Sequence, residues 1–383
     1  MRPSLVPAER LASAKPAVRA PHSLSKKRSA IIHYWLVGMR GGEKVVEALC
    51  RLLPDADIFT LFYEPEEVSP VIRARNVHAS FLNPLRKHYR SLLPLMPLAL
   101  EAFDLRDYDL VISSESGPAK GAIVPSSARH ICYCHTPMRY LWDLYPAYLH
   151  EFTSSGFKRA LMAPLAAYLR LWDFASSARV DSFIANSHNV QQRIWRTYRR
   201  ESRVIYPPVA IDRFFWKPDR DYLLIVSGLV AYKRLDYAVR LCATQGIRLK
   251  IAGDGPEFRG LKNLAGKSVE FCGRVSDGEL CQLYSHSMAL LVPGEEDFGM
   301  TMVEALASGK PVIALGRGGA LEIVGPGCGL LYEQPSPDSL HTALRSLYRT
   351  EFCQSDLQAA VQKFSELEFH RRMQTLIESH AGV

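Results

Sequence analysis

Apolar residues recur along this chain in short blocks, and the stretches between them carry helical spacing. That alternation predicts strands and helices in turn, the pattern of an α/β chain with parallel sheets. In the first half the blocks are Ala30–Leu36, Ala56–Leu61, Asp109–Ser114, His130–Cys134 and Ser182–Ser187. Helical spacing covers Glu43–Leu53 and Gly156–Ala175. A second series follows as residues 222–227, 249–253, 269–273, 288–294, 311–315 and 329–332, with helical stretches between them. Between the two series, Arg203 to Val209 carries paired prolines, Pro207 and Pro208, which stiffen the chain and interrupt both patterns; it reads as a linker. The expected organisation is a disordered basic extension over 1–28, one Rossmann-like domain over 29–206 and a second over 207–365. A last helix over 366–383 has no following strand and is expected to pack back on the first domain.

The segment Phe81 to Leu100 is harder to place. Arg86, Lys87, His88 and Arg90 precede leucines interrupted by prolines. An amphipathic helix packed on its own domain is the first expectation, and contact with an anionic membrane interface is the other.

Composition narrows the class. A chain of 383 residues with 48% hydrophobic and 22% charged residues suits a soluble globular protein with two cores. It contains neither an apolar run of bilayer length nor a signal-peptide pattern, so a cytoplasmic protein is expected. The eight cysteines form no C-x-x-C pair and read as reduced, buried thiols. The net charge is +8, and residues 1–28 carry seven Lys/Arg against one acid. A basic leader without interleaved aromatic residues makes nucleic acid a poor partner, and none is expected.

Candidate chemistry concentrates at Gly294–Ala305, GEEDFGMTMVEA. A strand ends at Pro293 and a helix starts near Gly299, which puts Glu296 and Glu304 on either side of a helix N-terminus. Unpaired N–H groups there suit a phosphate, and a nearby carboxylate can accept hydrogen bonds from vicinal hydroxyls. His135 follows a strand at the end where open α/β sheets bind ligands. The first strand runs into Gly38 and Gly41-Gly42, but without the G-x-G-x-x-G spacing of a dinucleotide site. Gly318-Gly319 with Glu322 is compatible with a sugar contact or with a turn. Three D-x-D triplets, Asp55/Asp57, Asp107/Asp109 and Asp219/Asp221, each lead into a strand, so they should lie at the sheet edge away from the ligand crevice. No metal is expected.

E-x7-E at Glu296 and Glu304 is followed by ALASGKPVIALGRGGALEIV and preceded by HYWLVGMRGGEKVVEALC, ICYCHTPMRYLWD, ANSHNVQQRI and VIYPPVAIDRF. Together, in this order, these blocks resemble glycosyltransferase family 4, the retaining enzymes of GT-B fold, and within it the branch of bacterial O-antigen and exopolysaccharide mannosyltransferases. The resemblance covers nearly all of residues 29–383. It implies two facing doubly wound domains with a cleft between them. It also implies transfer of mannose from GDP-mannose to a polyprenyl-diphosphate-linked saccharide at the inner membrane face, without cofactor or metal.

The resemblance also implies residue roles. Glu304 holds the ribose and Glu296 the donor sugar, with Phe298, Gly299, Met300 and Thr301 close by. Lys233 neutralises the diphosphate, with Arg234 beside it, and Gly42 approaches from the other domain. His135 reaches the donor sugar, and with Glu296 and Lys233 forms the catalytic group. Gly273, Arg274 and Val275 lie near the base, while Arg139 and Asp143 line the acceptor side.

One departure is visible. Family members place an arginine five residues before the lysine, where this chain has Gly228. Another nucleotide sugar, or a weakly active binding homologue, is the alternative this leaves.

Overall fold

The computed structural model describes residues 28–146 and 156–381. Two parallel sheets organise it. The first has the order β3-β2-β1-β4-β5-β6-β7, built from β1 (Ser29–His33), β2 (Asp57–Thr60), β3 (Val77–Ala79), β4 (Leu110–Glu115), β5 (Arg129–Cys134), β6 (Ser182–Ala185) and β7 (Ser202–Val204). The second has the order β10-β9-β8-β11-β12-β13. Its strands are β8 (Tyr222–Val226), β9 (Leu249–Ala252), β10 (Val269–Gly273), β11 (Ser287–Val292), β12 (Val312–Leu315) and β13 (Gly329–Tyr332).

In both sheets the strand order reverses beside the first strand, between β1 and β4 and between β8 and β11. Ligand crevices open at the carboxyl ends of strands on either side of such a reversal. The central strands are buried on both faces, since β4 is buried at every position from Leu110 to Glu115, and this explains their continuous apolar runs.

Several elements differ from the sequence reading. Arg203 and Val204, placed in the linker, form the edge strand β7 against β6. The 81–100 segment is no α-helix: prolines and a kink at His88 break it into a 3-10 run, Asn83–Leu95, followed by the short helix Met96–Glu101. Arg28, assigned to the leader, is tied to the start of β4, where its N–H donates to Asp109 Oδ2 (2.9 Å). The remainder of the leader lies outside the described residues.

The chain crosses between the sheets twice, and the two crossings run side by side: Val209 pairs with Ser365, and Val209 N donates to Phe364 O (3.0 Å). The final helix, Glu366–Ala381, lies on the Gly41–Leu52 helix. Its Phe369, Met373, Leu376 and Ile377 join Val45, Leu49 and Tyr133 in one buried cluster. His370 Nε2 meets Ala48 O (2.9 Å), and Arg51 pairs with Glu366 (2.7 Å).

Candidate functional site: the crevice between the two sheets

From the second sheet, three loops reach the crevice. The loop after β11 carries Glu295 to Gly299. Gly299 caps the Met300–Ala307 helix with φ +99°, a conformation an L side chain rarely adopts, and a Cβ there would stand 2.1 Å from Met302 Cε. This tight start aims the helix N-terminus into the crevice. Phe298 is buried against Tyr206 and Phe364, so what it offers the crevice is backbone.

The loop after β8 carries Gly228, Lys233 and Arg234. Lys233 forms an ion pair with Glu296. Burial alone would lower the Lys233 pKa, but the adjacent Glu296 carboxylate outweighs it and holds the ammonium above its ordinary value. Gly294 packs against the Lys233 backbone, 2.6 Å from its carbonyl oxygen to an added Cβ, so the two loops touch. Arg234 turns away: Asp236 accepts from its Nε (3.2 Å), and its guanidinium stacks on the Tyr237 ring. The end of β10 supplies Gly273 (φ +67°), an exposed Arg274 and a half-buried Val275.

Glu304 is buried, one turn into its helix. Tyr284 OH donates to its Oε2 (2.9 Å), while Lys44 and Arg213 stand 3.4 and 3.8 Å from its Oε1. The Thr301 carbonyl also accepts from Tyr284 OH (3.2 Å). Lys44 belongs to the first domain, so this ion pair spans the crevice.

The first sheet answers with β1, β4 and β5. Gly42 sits over two histidines: a Cβ there would lie 3.3 Å from His33 Cε1 and 3.6 Å from His135 Nε2. Gly41 is as close to the other domain, 3.2 Å from Met300 Sδ by the same measure. His135 Nε2 bonds with Ser114 Oγ (2.9 Å). Burial, with His33 adding to it, pushes the His135 pKa down to about 3, which keeps the imidazole neutral at ordinary pH. Tyr34 OH bonds with Ser116 Oγ (2.7 Å), a residue of the loop after β4.

Arg139 and Asp143 meet the Glu295–Asp297 loop through a residue that the sequence reading missed. Arg193 pairs with Asp143 (3.0 Å), Glu295 (2.6 Å) and Asp297 (3.0 Å), and Arg139 stands 3.5 Å from Asp297. Burial raises the Asp297 pKa despite these two arginines and Lys233. Glu322 is likewise a clasp between domains: its carboxylate accepts from His188 N and Asn189 N, both 3.0 Å, at the start of the His188–Tyr198 helix. Gly318 and Gly319 pack directly on the backbone of Glu296 and Phe298.

The predicted residues thus fall into groups. Lys233, Glu296 and the Gly299 turn converge, with Glu304 one turn beyond them. Gly42 and His135 come together on the facing sheet. Arg139 and Asp143 join the Asp297 corner, and Arg234 and Arg274 stand apart. Lys44 and Arg193 were not singled out from sequence. Only their neighbourhoods were visible, Lys44 two residues after Gly42 and Arg193 six after Ser187, which caps its helix and donates from Oγ to Asp297 O (2.7 Å). All three D-x-D triplets precede or begin strands, at the ends away from the crevice. Asp219 and Asp221 cluster there with His286, whose Nε2 is also 3.0 Å from Lys217 Nζ.

Known proteins resemble each half of the chain. The family described as Glycosyltransferase Family 4 matches residues 39–213, and that described as Glycosyl transferases group 1 matches 210–364. An uncharacterized glycosyltransferase, MJ1178, of Methanocaldococcus jannaschii is 29% identical over 49% of this chain and 55% of its own length. A GDP-mannose-dependent alpha-mannosyltransferase of Mycolicibacterium smegmatis is 34% identical over 40% of this chain and 44% of its own. The chain thus spans about half the length of these relatives. Among solved structures, Anabaena Alr3699/HepE in complex with UDP and glucose superposes with a TM-score of 0.65 at 17% identity, covering 91% of this chain and 99% of the other. The fold is GT-B, and each half of the chain carries a glycosyltransferase family domain.

Proposed function

We propose that this chain is a retaining glycosyltransferase that moves mannose from GDP-mannose onto a saccharide carried on a polyprenyl diphosphate, in polysaccharide or O-antigen assembly. The observation that carries the transferase reading is the meeting of Lys233, Glu296 and the Gly299 helix start opposite Gly42 and His135, with Glu304 one turn beyond. Mannose and the guanine base draw on the mannosyltransferase relatives alone.

In glycosyl transfer from a nucleoside diphosphate, negative charge grows on the leaving phosphate and positive charge on the anomeric carbon. Lys233 and the N–H groups at the 300–307 helix start stabilise the leaving diphosphate. The diphosphate competes with Glu296 for Lys233, and Glu296 is then released to the hydroxyls of the donor sugar. Glu304, already polarised by Tyr284 and Lys44, takes the ribose diol. A neutral His135 donates or accepts one hydrogen bond at the sugar without adding charge. Attack comes from the face the leaving phosphate departs from, and that phosphate accepts the acceptor's proton. Configuration is retained without a protein nucleophile, metal or cofactor.

No helix among the described residues is long and apolar enough to cross a membrane. Exposed Phe81, Leu85, Leu95 and Leu98 favour peripheral contact with the cytoplasmic membrane face, where the lipid-linked acceptor resides.

A thermal-shift panel of GDP-, UDP-, ADP- and dTDP-sugars tests the donor. Preferential stabilisation by GDP-mannose is expected, and Glu304→Ala and Lys233→Ala should each abolish it. Stabilisation by UDP-sugars alone would sink the mannose assignment. A shift with no nucleotide sugar at all would remove the transferase reading.

A further inference from the structure

Beside the crevice, the loop from β1 to the Gly41–Leu52 helix and the 83–95 run enclose a cavity of about 270 Å³. Trp35 and Tyr89 form an aromatic wall, their rings edge to face at 4.9 Å. Arg40, Lys87, Arg90 and, from the second domain, Arg274 also line it.

Two acids also border it, but both are spent. Glu64 is held by Arg86 Nε at 2.6 Å. Glu43 Oε2 accepts from Arg40 N (3.0 Å), and its Oε1 lies 3.9 Å from His33 Nε2. Among the described residues no carboxylate comes within ion-pair distance of Arg40, Lys87 or Arg90. Arg274 has only Asp254, 3.6 Å away, with both side chains largely exposed. Three cations without a carboxylate partner among the described residues, and a fourth that is only weakly paired, therefore border one cavity, an arrangement that favours a multiply charged ligand.

Size narrows the ligand. Whole small-molecule sites run to about 300–1,000 Å³, so this cavity fits a fragment, not a nucleotide sugar. Position narrows it again: Arg40 begins the helix whose Gly42 faces His135, while Lys233 approaches the crevice from the other domain. We infer that the cavity is a second anion subsite, holding a phosphoryl group carried by the acceptor, with Trp35 and Tyr89 against the adjoining sugar or chain. This rests on the glycosyltransferase reading above and adds to it the residues that hold the acceptor's diphosphate.

The test uses the full chain, with farnesyl diphosphate as probe and quenching of Trp35 fluorescence as readout, measured with saturating GDP present. Quenching is expected in the wild type and in Lys233→Ala, and absent with uncharged farnesol or after Trp35→Phe. Lys87→Ala/Arg90→Ala should raise the Kd by about tenfold or more, since each change removes a charge-assisted contact. Lys87→Gln/Arg90→Gln repeats this with side-chain bulk kept, and an unaltered melting temperature in either variant shows that folding is intact. An unchanged Kd in both double variants would overturn the assignment. So would equal loss of binding to phosphatidylglycerol vesicles without diphosphate, which would give the cations to bilayer headgroups. A wild type that responds to no nucleotide sugar would defeat the transferase reading, while farnesyl diphosphate quenching still scores the cavity.

Discussion

Charge complementarity at single residues decides most of what this crevice can do. Gly228 is the point where the chain lacks an expected cation, and no heavy atom lies within 4 Å of an added Cβ there. Gly228→Arg should therefore be tolerated and should tighten nucleotide-sugar binding. One charge-assisted contact to a desolvated phosphate is worth about 1.5–3 kcal/mol, roughly ten- to a hundredfold. Calorimetric titration checks this; no gain would mean that the native residues already neutralise the diphosphate. Arg234 is a poor substitute, since Asp236 and Tyr237 hold it.

Buried imidazoles set a pH dependence. Burial pushes His130 down to about 4 and His135 to about 3. Both stay neutral in the folded chain while the unfolded chain binds protons below about 6.5. Their contribution is fully present above that pH and is lost as pH falls toward the folded values, by up to about 1.4 kcal/mol per pH unit for each group. Glu115, raised to about 7 by burial against the pull of Lys120, acts oppositely: stability falls as pH rises through the range from about 4.5 to 7. The imidazole part can be isolated by comparing melting temperatures at pH 5 and 7.5. The drop should be smaller in His130→Gln than in the wild type, and equal drops would refute the assignment. Sequence made His135 visible through its place after a strand. Lys44 and Arg193 were hidden because their partners, Glu304 and Glu295, stand 260 and 102 residues away.

Strands with continuous apolar runs were legible because both their faces are buried. The short edge strands β3 and β7 were not, since they bury little and their patterns are correspondingly weak. The 83–95 run misled for another reason: its leucines have helical spacing, but Pro94 inside it and Pro97 after it remove backbone donors that an α-helix needs. Helix starts matter more here than helix faces. Besides its own Ser187 cap, the His188–Tyr198 helix has its first two N–H groups held by Glu322 of the other domain. Glu322→Ala leaves two N–H groups at that terminus without their carboxylate, at a cost of about 1 kcal/mol because the site is partly exposed. The same change should widen the spread of domain orientations, seen as a larger radius of gyration by small-angle scattering. An unaltered scattering profile and melting temperature would show that the clasp is incidental.

At the scale of the whole molecule, two sheets of related topology are joined by adjacent crossings and by ion pairs across a single crevice. The two strand series announced this duplication, and the blocks resembling family 4 pointed to its GT-B assembly. The pairing of Lys44 with Glu304 and the cavity at Trp35 depend on how the halves face each other, which no local pattern encodes. The last helix has the largest consequence. Deleting residues 366–381 removes Phe369, Met373, Leu376 and Ile377 from a cluster otherwise made by the first domain. Each large apolar side chain lost from a core costs roughly 2–5 kcal/mol, so the truncated chain should lose cooperative unfolding of that domain. Differential calorimetry would check this, with a retained first transition as the contrary result.

That helix also imposes an order in time. Synthesis runs from the amino terminus, yet the core of the first domain is completed by residues that follow the whole second sheet. Until those residues emerge, its Tyr133 and the buried face of Gly41–Leu52 lack their covering partner. The second domain, whose strands end at Tyr332, can assemble while the first still waits. The first domain therefore completes its core only after every strand of the second has been made.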